Sequence, residues 1–228
     1  MLNDAAALGR LLVTLRGAAL PHACRLTIHV VDGGSTDESV AVAETMGARV
    51  LRCDGGRGPQ LAAGCRAGNG ELVLMLHADS SLEADALVCL VEALASRNDV
   101  EWGILGHDYD SGGLAARWAL VTNRLRFHCF GIAFGDQGIF VRRRTLGDVG
   151  GVPELPLMED VELSLRLRSR PRLSLGRCLT ASARRFEQGG WRYLFRVFRL
   201  TTWWLAARAR GAEPGPLAAR MRQIYYGQ

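Results

Sequence analysis

Apolar positions along the chain recur first at helical and then at strand spacing. Leu8, Leu11, Leu12 and Leu15 make one helical face behind Asp4, which stands where an N-cap would. Residues 27–31 form a short β-branched run bounded by turn residues, which predicts a buried strand that stops at Asp32. Gly33 and Gly34 follow, and Ser35 to Asp37 are placed to cap a second helix running to about Met46. A second strand is predicted over 48–53. A Gly-rich loop over 54–59 and a short helix over 60–67 lead to a strongly apolar third strand over 71–76, which ends in His77-Ala78-Asp79. An amphipathic helix is predicted over 83–97.

The second half continues the alternation. Strands are predicted over 100–109, 139–141 and 172–180, and helices over 114–129, 159–168 and 191–210. This order predicts an α/β fold, a mostly parallel sheet flanked by helices. The chain reads as one domain over 1–188 with a C-terminal helical appendage over 189–228.

Composition adds little to the fold and something to the chemistry. The 228 residues carry a net charge of +5, and every basic residue is arginine, whose fixed fork suits phosphate. The six cysteines are scattered, without zinc-like or redox-like spacing, and suit buried thiols in a reducing, cytoplasmic setting. Nothing at the start reads as a signal peptide, and no apolar run approaches the roughly 20 residues that span a bilayer. A nucleic-acid partner is not expected.

Asp32 and Asp79 both fall at C-terminal ends of predicted parallel strands, the edge where an open sheet takes ligands. Gly33 and Gly34 would let backbone approach a ligand, and the helix behind them would offer N–H groups to anionic parts of it. Asp160 sits at the entry of a helix whose first turn holds Glu159, Asp160 and Glu162. Taken singly, each of these reads as a cap or turn residue. Together they suit group transfer from a nucleotide diphosphate. Asp79 would hold a divalent cation, Mg²⁺ or Mn²⁺, on the leaving diphosphate, and Asp160 would take the proton of the incoming hydroxyl.

Four stretches, VVDGGSTD (30–37), GELVLMLHAD (70–79), GDQGIFVRR (135–143) and PLMEDVEL (156–163), in this order and spacing, resemble the family 2 glycosyltransferases of GT-A fold. More narrowly, they resemble the subgroup termed radical-SAM/selenodomain-associated transferase 2. The resemblance runs from Leu2 to about Gln188. It implies that Asp32 contacts the nucleotide base, typically uracil, and that Arg57 and Gln60 lie in a loop near the nucleotide. It implies that Asp79, with His77 in place of the first aspartate of the usual Asp-x-Asp motif, binds the metal. Asp136 and Gln137 would line the acceptor side, and Asp160, in Met158-Glu159-Asp160, would be the base of an inverting displacement. No histidine follows His128, so the late histidine ligand of some relatives is absent, and Arg184 and Arg185 occupy that region as candidates to neutralise the diphosphate.

The implied donor is a nucleotide-diphosphate sugar, most simply a UDP-sugar, and the acceptor is open. Two alternatives stand beside this reading. A sugar-phosphate nucleotidyltransferase would need a Gly-rich basic signature after the first strand, which the chain lacks. A nucleotide-sugar-binding or membrane-docked protein with little turnover is the other. The 191–210 helix, with Arg192, Arg196 and Arg199 on one stripe and Leu194, Phe195, Phe198 and Trp204 around it, is expected to lie against a membrane or anionic partner. In the resembled fold a strand precedes the turn matched here by Leu2-Asn3-Asp4, so the first strand of the sheet is expected to be missing.

Overall fold

The computed structural model describes residues 1–110, 113–176, 178–181 and 184–226, without the side chains of 184–188 and 226. Helix α1 (Ala5–Gly17) opens the chain and buries Leu8, Leu11, Leu12 and Leu15, as the spacing predicts. Then follow β1 (His29–Asp32), α2 (Ser39–Thr45), β2 (Arg49–Arg52), α3 (Arg57–Ala67), β3 (Leu72–Met75), β4 (Ser81–Leu82) and α4 (Ala86–Ser96). The second half runs β5 (Trp102–Ile104), β6 (Asp108–Tyr109), α5 (Leu114–Phe130), a 3-10 turn (Gly135–Gln137), β7 (Ile139–Arg142), α6 (Arg143–Asp148) and α7 (Glu159–Leu167). It ends with β8 (Arg172–Ser174), β9 (Leu179–Ala181), α8 (Arg184–Ala209) and α9 (Pro214–Tyr226).

The fold is GT-A-like: helices flank mixed sheets rather than a mostly parallel one. Strands β1 and β2 pair in parallel, and a four-stranded sheet runs β3-β7-β5-β8. In it β7 lies antiparallel to both β3 and β5, while β5 and β8 are parallel. Strand β7 follows α5, an order that implies a parallel crossover, yet the chain turns back through the 3-10 turn and β7 runs antiparallel to its neighbours. A third sheet runs β4-β9-β6.

Two predicted strands are each broken in two. The 100–109 run splits into β5 and β6 at Gly106, whose φ is +75°. A side chain there would collide with the Gly176 carbonyl, so the two Gly turns cross where the chain leaves one sheet for the other. The 172–180 run splits into β8 and β9 at the same crossing. Helices α6 and α9 were not predicted.

Alternation along the central strands builds two cores. Val73, Met75, Ile139, Val141, Trp102 and Ile104 face α3, α5, α6 and α7, with Trp102 edge-on to Phe127. Leu72, Leu74 and Phe140 face the other way, onto α1, α2 and α4. Helices α8 and α9 bury Leu200, Trp204, Ala218 and Met221 against Ile132, Leu155 and Val161.

Strand β1 pairs with β2 on one side. On the other, among the described residues, Met1 bonds to it and to the turn beyond: its ammonium donates to the Val31 carbonyl at 2.7 Å and its carbonyl accepts from the Gly33 N–H at 2.9 Å. Among the described residues no strand joins β1 to the four-stranded sheet.

Candidate active site

The 32–37 turn is bound up with the start of the chain. Both Asp32 oxygens accept from the amides of Gly34 and Ser35. Desolvation pulls this fully buried carboxyl upward, but the Ser35 and Gly34 hydrogen bonds, helped by the Met1 ammonium, hold its pKa below the usual range. Asp37 accepts from the amides of Ser39 and of Ala5, so one carboxylate serves the first turns of both α2 and α1. Ser35 and Ser39 accept from the amides of Asn3 and Asp4, and Asn3 accepts from Thr36. One first-turn amide of α2, that of Ser39, is therefore taken within the chain. Asp37 occupies that end of the helix, and Glu38 adds a second negative charge beside it.

A second group of side chains meets at Gly135. A Cβ built there would fall 2.7 Å from Arg57 Nη2, 2.7 Å from His77 Nε2 and 3.5 Å from Asp160 Oδ2. These atoms come from α3, from the turn after β3 and from the first turn of α7. Gly135 itself donates its N–H to Asp160 Oδ2 at 2.8 Å. Asp160 Oδ1 accepts from Val161. Arg57 Nε lies 2.9 Å from Glu159 Oε1, and its Nη2 lies 3.6 Å from Asp160 Oδ2. Glu159 is buried, and desolvation together with the charge of Asp160 pushes its pKa up to about 7 against the pull of Arg57.

Helix α3 links the two groups. One turn beyond Arg57, Gln60 donates to the Cys53 carbonyl at 3.3 Å, and its amide nitrogen lies against Gly33 so closely that a Cβ there would meet it. Gln137 is buried in its own turn, accepting from the Phe134 amide at 2.8 Å. Arg184 and Arg185 open α8, but their side chains lie outside the described residues.

Asp136 Oδ1 is buried without a hydrogen-bond partner among the described residues. Behind it stand three residues the sequence reading did not single out: His107, Asn123 and Arg126. Burial lowers the His107 pKa, and among the described residues neither ring nitrogen has a hydrogen-bond partner. Arg126 stacks on Phe134 at 3.5 Å, bonds to Asn123 and the Ile132 carbonyl, and keeps one buried nitrogen unpartnered among the described residues. Burial lowers its pKa to about 10, against the attraction of Asp136 and Asp160. The signal was available: Asn123 interrupts the otherwise apolar buried stripe Ala115, Ala116, Ala119, Phe127 of α5. His107, Asn123 and Gln137 also line a cavity of about 330 Å³. A larger cavity of about 750 Å³, lined by Arg166, Arg168, Arg172 and Arg208, lies where α5, α7 and α8 end. Arg172 and Arg208 bond to carbonyls at those ends, and Arg166 and Arg208 pair with buried Glu162.

Among the described residues no group of three or more His, Cys, Asp or Glu side chains is assembled to hold a metal ion. Asp79 is an exposed carboxylate in the turn after β3, and His77 reaches the Gly135 meeting point. Two donors of this kind fit a divalent ion that draws its other ligands from phosphate oxygens.

The comparisons with known proteins agree with this fold. No curated protein matches the sequence. A mannosyltransferase from Pyrobaculum calidifontis, PcManGT, solved with GDP-Man and Mn²⁺, superposes over 95% of this chain and 64% of its own at 17% identity, TM-score 0.69. S. aureus TarS residues 1–349, solved with UDP-GlcNAc, covers 77% and 54% at 18% identity, TM-score 0.61. The glucosyl-3-phosphoglycerate synthase of Mycobacterium tuberculosis, solved with Mn²⁺, UDP-glucose and phosphoglyceric acid, covers 78% and 68% at 20% identity, TM-score 0.54. At such identities the likeness is one of fold. The chain spans about two thirds of PcManGT and about half of that TarS fragment. The sequence itself carries the assignment: the profile described as glycosyl transferase family 2 matches residues 1–146, well over half of the molecule, and the chain belongs to that family.

Proposed function

We propose that the protein transfers a sugar from a UDP-sugar to an acceptor hydroxyl with inversion, and that Asp160 is the base. The observation that carries this reading is the convergence of Arg57, His77 and Asp160 on Gly135, with Asp136 next in sequence. The acceptor oxygen forms its bond to the anomeric carbon as the bond to the diphosphate oxygen breaks. The acceptor proton passes to Asp160, and the electron pair leaves with the nucleotide diphosphate. Gly135 N–H and Arg57 fix the Asp160 carboxylate through Oδ2. Asp79 and His77 would hold Mg²⁺ or Mn²⁺, which when bound neutralises charge growing on the diphosphate. Asp32, Gly33, Gly34 and Gln60 shape the nucleotide side; Asp136 and Gln137 face the acceptor.

The divalent ion and the nucleotide sugars in the neighbouring structures support this assignment. The His77-Ala78-Asp79 motif supports placement in the radical-SAM/selenodomain-associated subgroup. Residues 1–188 then form the catalytic domain and 189–228 a helical appendage. The six free cysteines suit a reducing, cytoplasmic setting. The sparse metal donors favour one second reading, nucleotide-sugar binding with little turnover. Incubation with a panel of UDP- and GDP-sugars, reading release of the diphosphate, separates the two. Steady release from a UDP-sugar supports transfer, and tight binding without release supports the second.

A further inference from the structure

We infer that the outward faces of α5 and α8 together form a docking surface for an anionic lipid bilayer. On α5, Leu114, Trp118, Val121 and Leu125 recur at helical spacing and are 68%, 56%, 51% and 57% exposed. They lie opposite the buried stripe of Ala115, Ala116, Ala119, Asn123 and Phe127. On α8, Trp191, Phe195 and Phe198 are 44%, 66% and 64% exposed, opposite buried Leu200 and Trp204. The two helices pack against each other. Residues 191–210 alone were expected to carry such a face, and Trp204 was counted toward it; Trp204 is instead fully buried, and α5 supplies the rest.

Soluble proteins rarely expose so many large apolar side chains on adjoining helices. The charges beside them name the occupant. Residues 113–130 and 189–209 contain no aspartate or glutamate. Arg117 and Arg124 flank the α5 ridge, and Arg192, Arg196 and Arg199 flank that of α8. None of the five has an ion-pair partner among the described residues. Aromatic side chains beside unpaired guanidinium groups match the acyl boundary and the phosphates of an anionic leaflet. A second copy is a poor occupant, since a two-fold contact would set five exposed guanidinium groups against the same five. No helix among the described residues is long and apolar enough to cross a membrane, so the contact is peripheral. The inner face of α5 carries Asn123 and Arg126 beside Asp136, so one helix separates the bilayer from the acceptor side. The inference does not rest on glycosyl transfer.

Co-sedimentation with vesicles tests it without any activity assay. The full chain should partition onto phosphatidylcholine mixed with phosphatidylglycerol, far less onto phosphatidylcholine alone, and should be released as salt rises. Trp118→Glu on α5 and Phe195→Glu on α8 should each lower the partition by about tenfold. Both positions are exposed, so the melting temperature should hold. If a variant fails to fold, Arg117→Ser with Arg124→Ser should flatten the salt dependence instead. Three results overturn the inference: no partition at low salt, wild-type partition by Trp118→Glu, or a dimer in solution that Trp118→Glu dissociates.

Discussion

Arg57 Nε lies 2.9 Å from Glu159 Oε1 while its Nη2 lies 3.6 Å from Asp160 Oδ2, so one guanidinium serves two adjacent carboxylates. The sharing is unequal. The Glu159 side chain is 3% exposed, that of Asp160 13%, and that of Arg57 43%. Arg57 is nearer to the more buried carboxylate and only partly neutralises it. Arg57→Ala should therefore cost on the order of 1–2 kcal/mol, less than a fully buried pair would, because solvent screens the exposed partner.

The same relationship sets a pH dependence. Burial, then the Asp160 charge, raises the Glu159 carboxyl from its ordinary 4.5 to about 7. Between those values the folded chain holds a proton that the unfolded chain has lost, so this residue makes stability fall as pH rises. Glu159→Gln carries no such proton. The unfolding free energy of the wild type minus that of the variant should decline from about pH 4.5 to about pH 7 and be level outside that window. The lowered pKa of His107 acts in the opposite sense but is common to both proteins and cancels. Denaturant unfolding at a series of pH values gives the difference directly, and a level difference throughout would remove Glu159 from the account.

Asp160→Asn should abolish transfer while nucleotide binding stays close to wild type. The amide oxygen can still accept the Gly135 N–H, so the turn is retained, but no carboxylate is left to receive the acceptor proton. Loss of a general base costs roughly 10²–10⁴ in rate. Diphosphate release and calorimetric UDP titration on the same preparation decide it. Wild-type turnover would reassign the base.

Asp79→Ala should weaken Mn²⁺-dependent UDP binding far more than His77→Ala. Carboxylate oxygen is the harder ligand, and Asp79 is exposed in its turn. His77 is tied into the Gly135 meeting point, so its removal should lower the rate more than the affinity. Equal loss of affinity in both variants would make His77 a full metal ligand.

Much of this layout could be read from residues and spacing. The four leucines of α1, the strands ending at Asp32 and before His77, and the α7 entry at Glu159 were legible because local periodicity and turn chemistry agree there. The short helix expected over 60–67 begins three residues earlier and takes in Arg57, and within that added stretch Gly58 sits against the backbone at Leu155. The role of Asp37 on two helices was hidden, since the Ala5 amide it accepts comes from another part of the chain. The pocket behind Asp136 depends on where the β5–β6 break turns His107, and no local pattern encodes that. Asp32 also accepts within its own turn, a second role that the strand pattern does not encode.

Gly135→Ala should separate the site from the fold. The backbone of Gly135 is outside the left-handed region, so alanine is allowed there. What the new methyl meets is the ends of two side chains, Arg57 and His77, each 2.7 Å away, and these can swing aside. Stability should change by less than about 1 kcal/mol, whereas overpacking against fixed backbone costs about 1–3 kcal/mol. Gly58→Ala is the control for the second case. Its Cβ would meet the Leu155 carbonyl, the Leu155 nitrogen and the Pro153 carbonyl at 2.3, 2.6 and 2.7 Å, all backbone. The displaced Arg57 and His77 can no longer hold Asp160 and the diphosphate in register, and a misplacement of about 1 Å costs on the order of 10²-fold in rate. Gly135→Ala is thus expected to melt near the wild-type temperature and turn over about a hundred times more slowly, while Gly58→Ala melts markedly lower. Full activity in Gly135→Ala would mean that the meeting of Arg57, His77 and Asp160 at this glycine plays no part in the reaction.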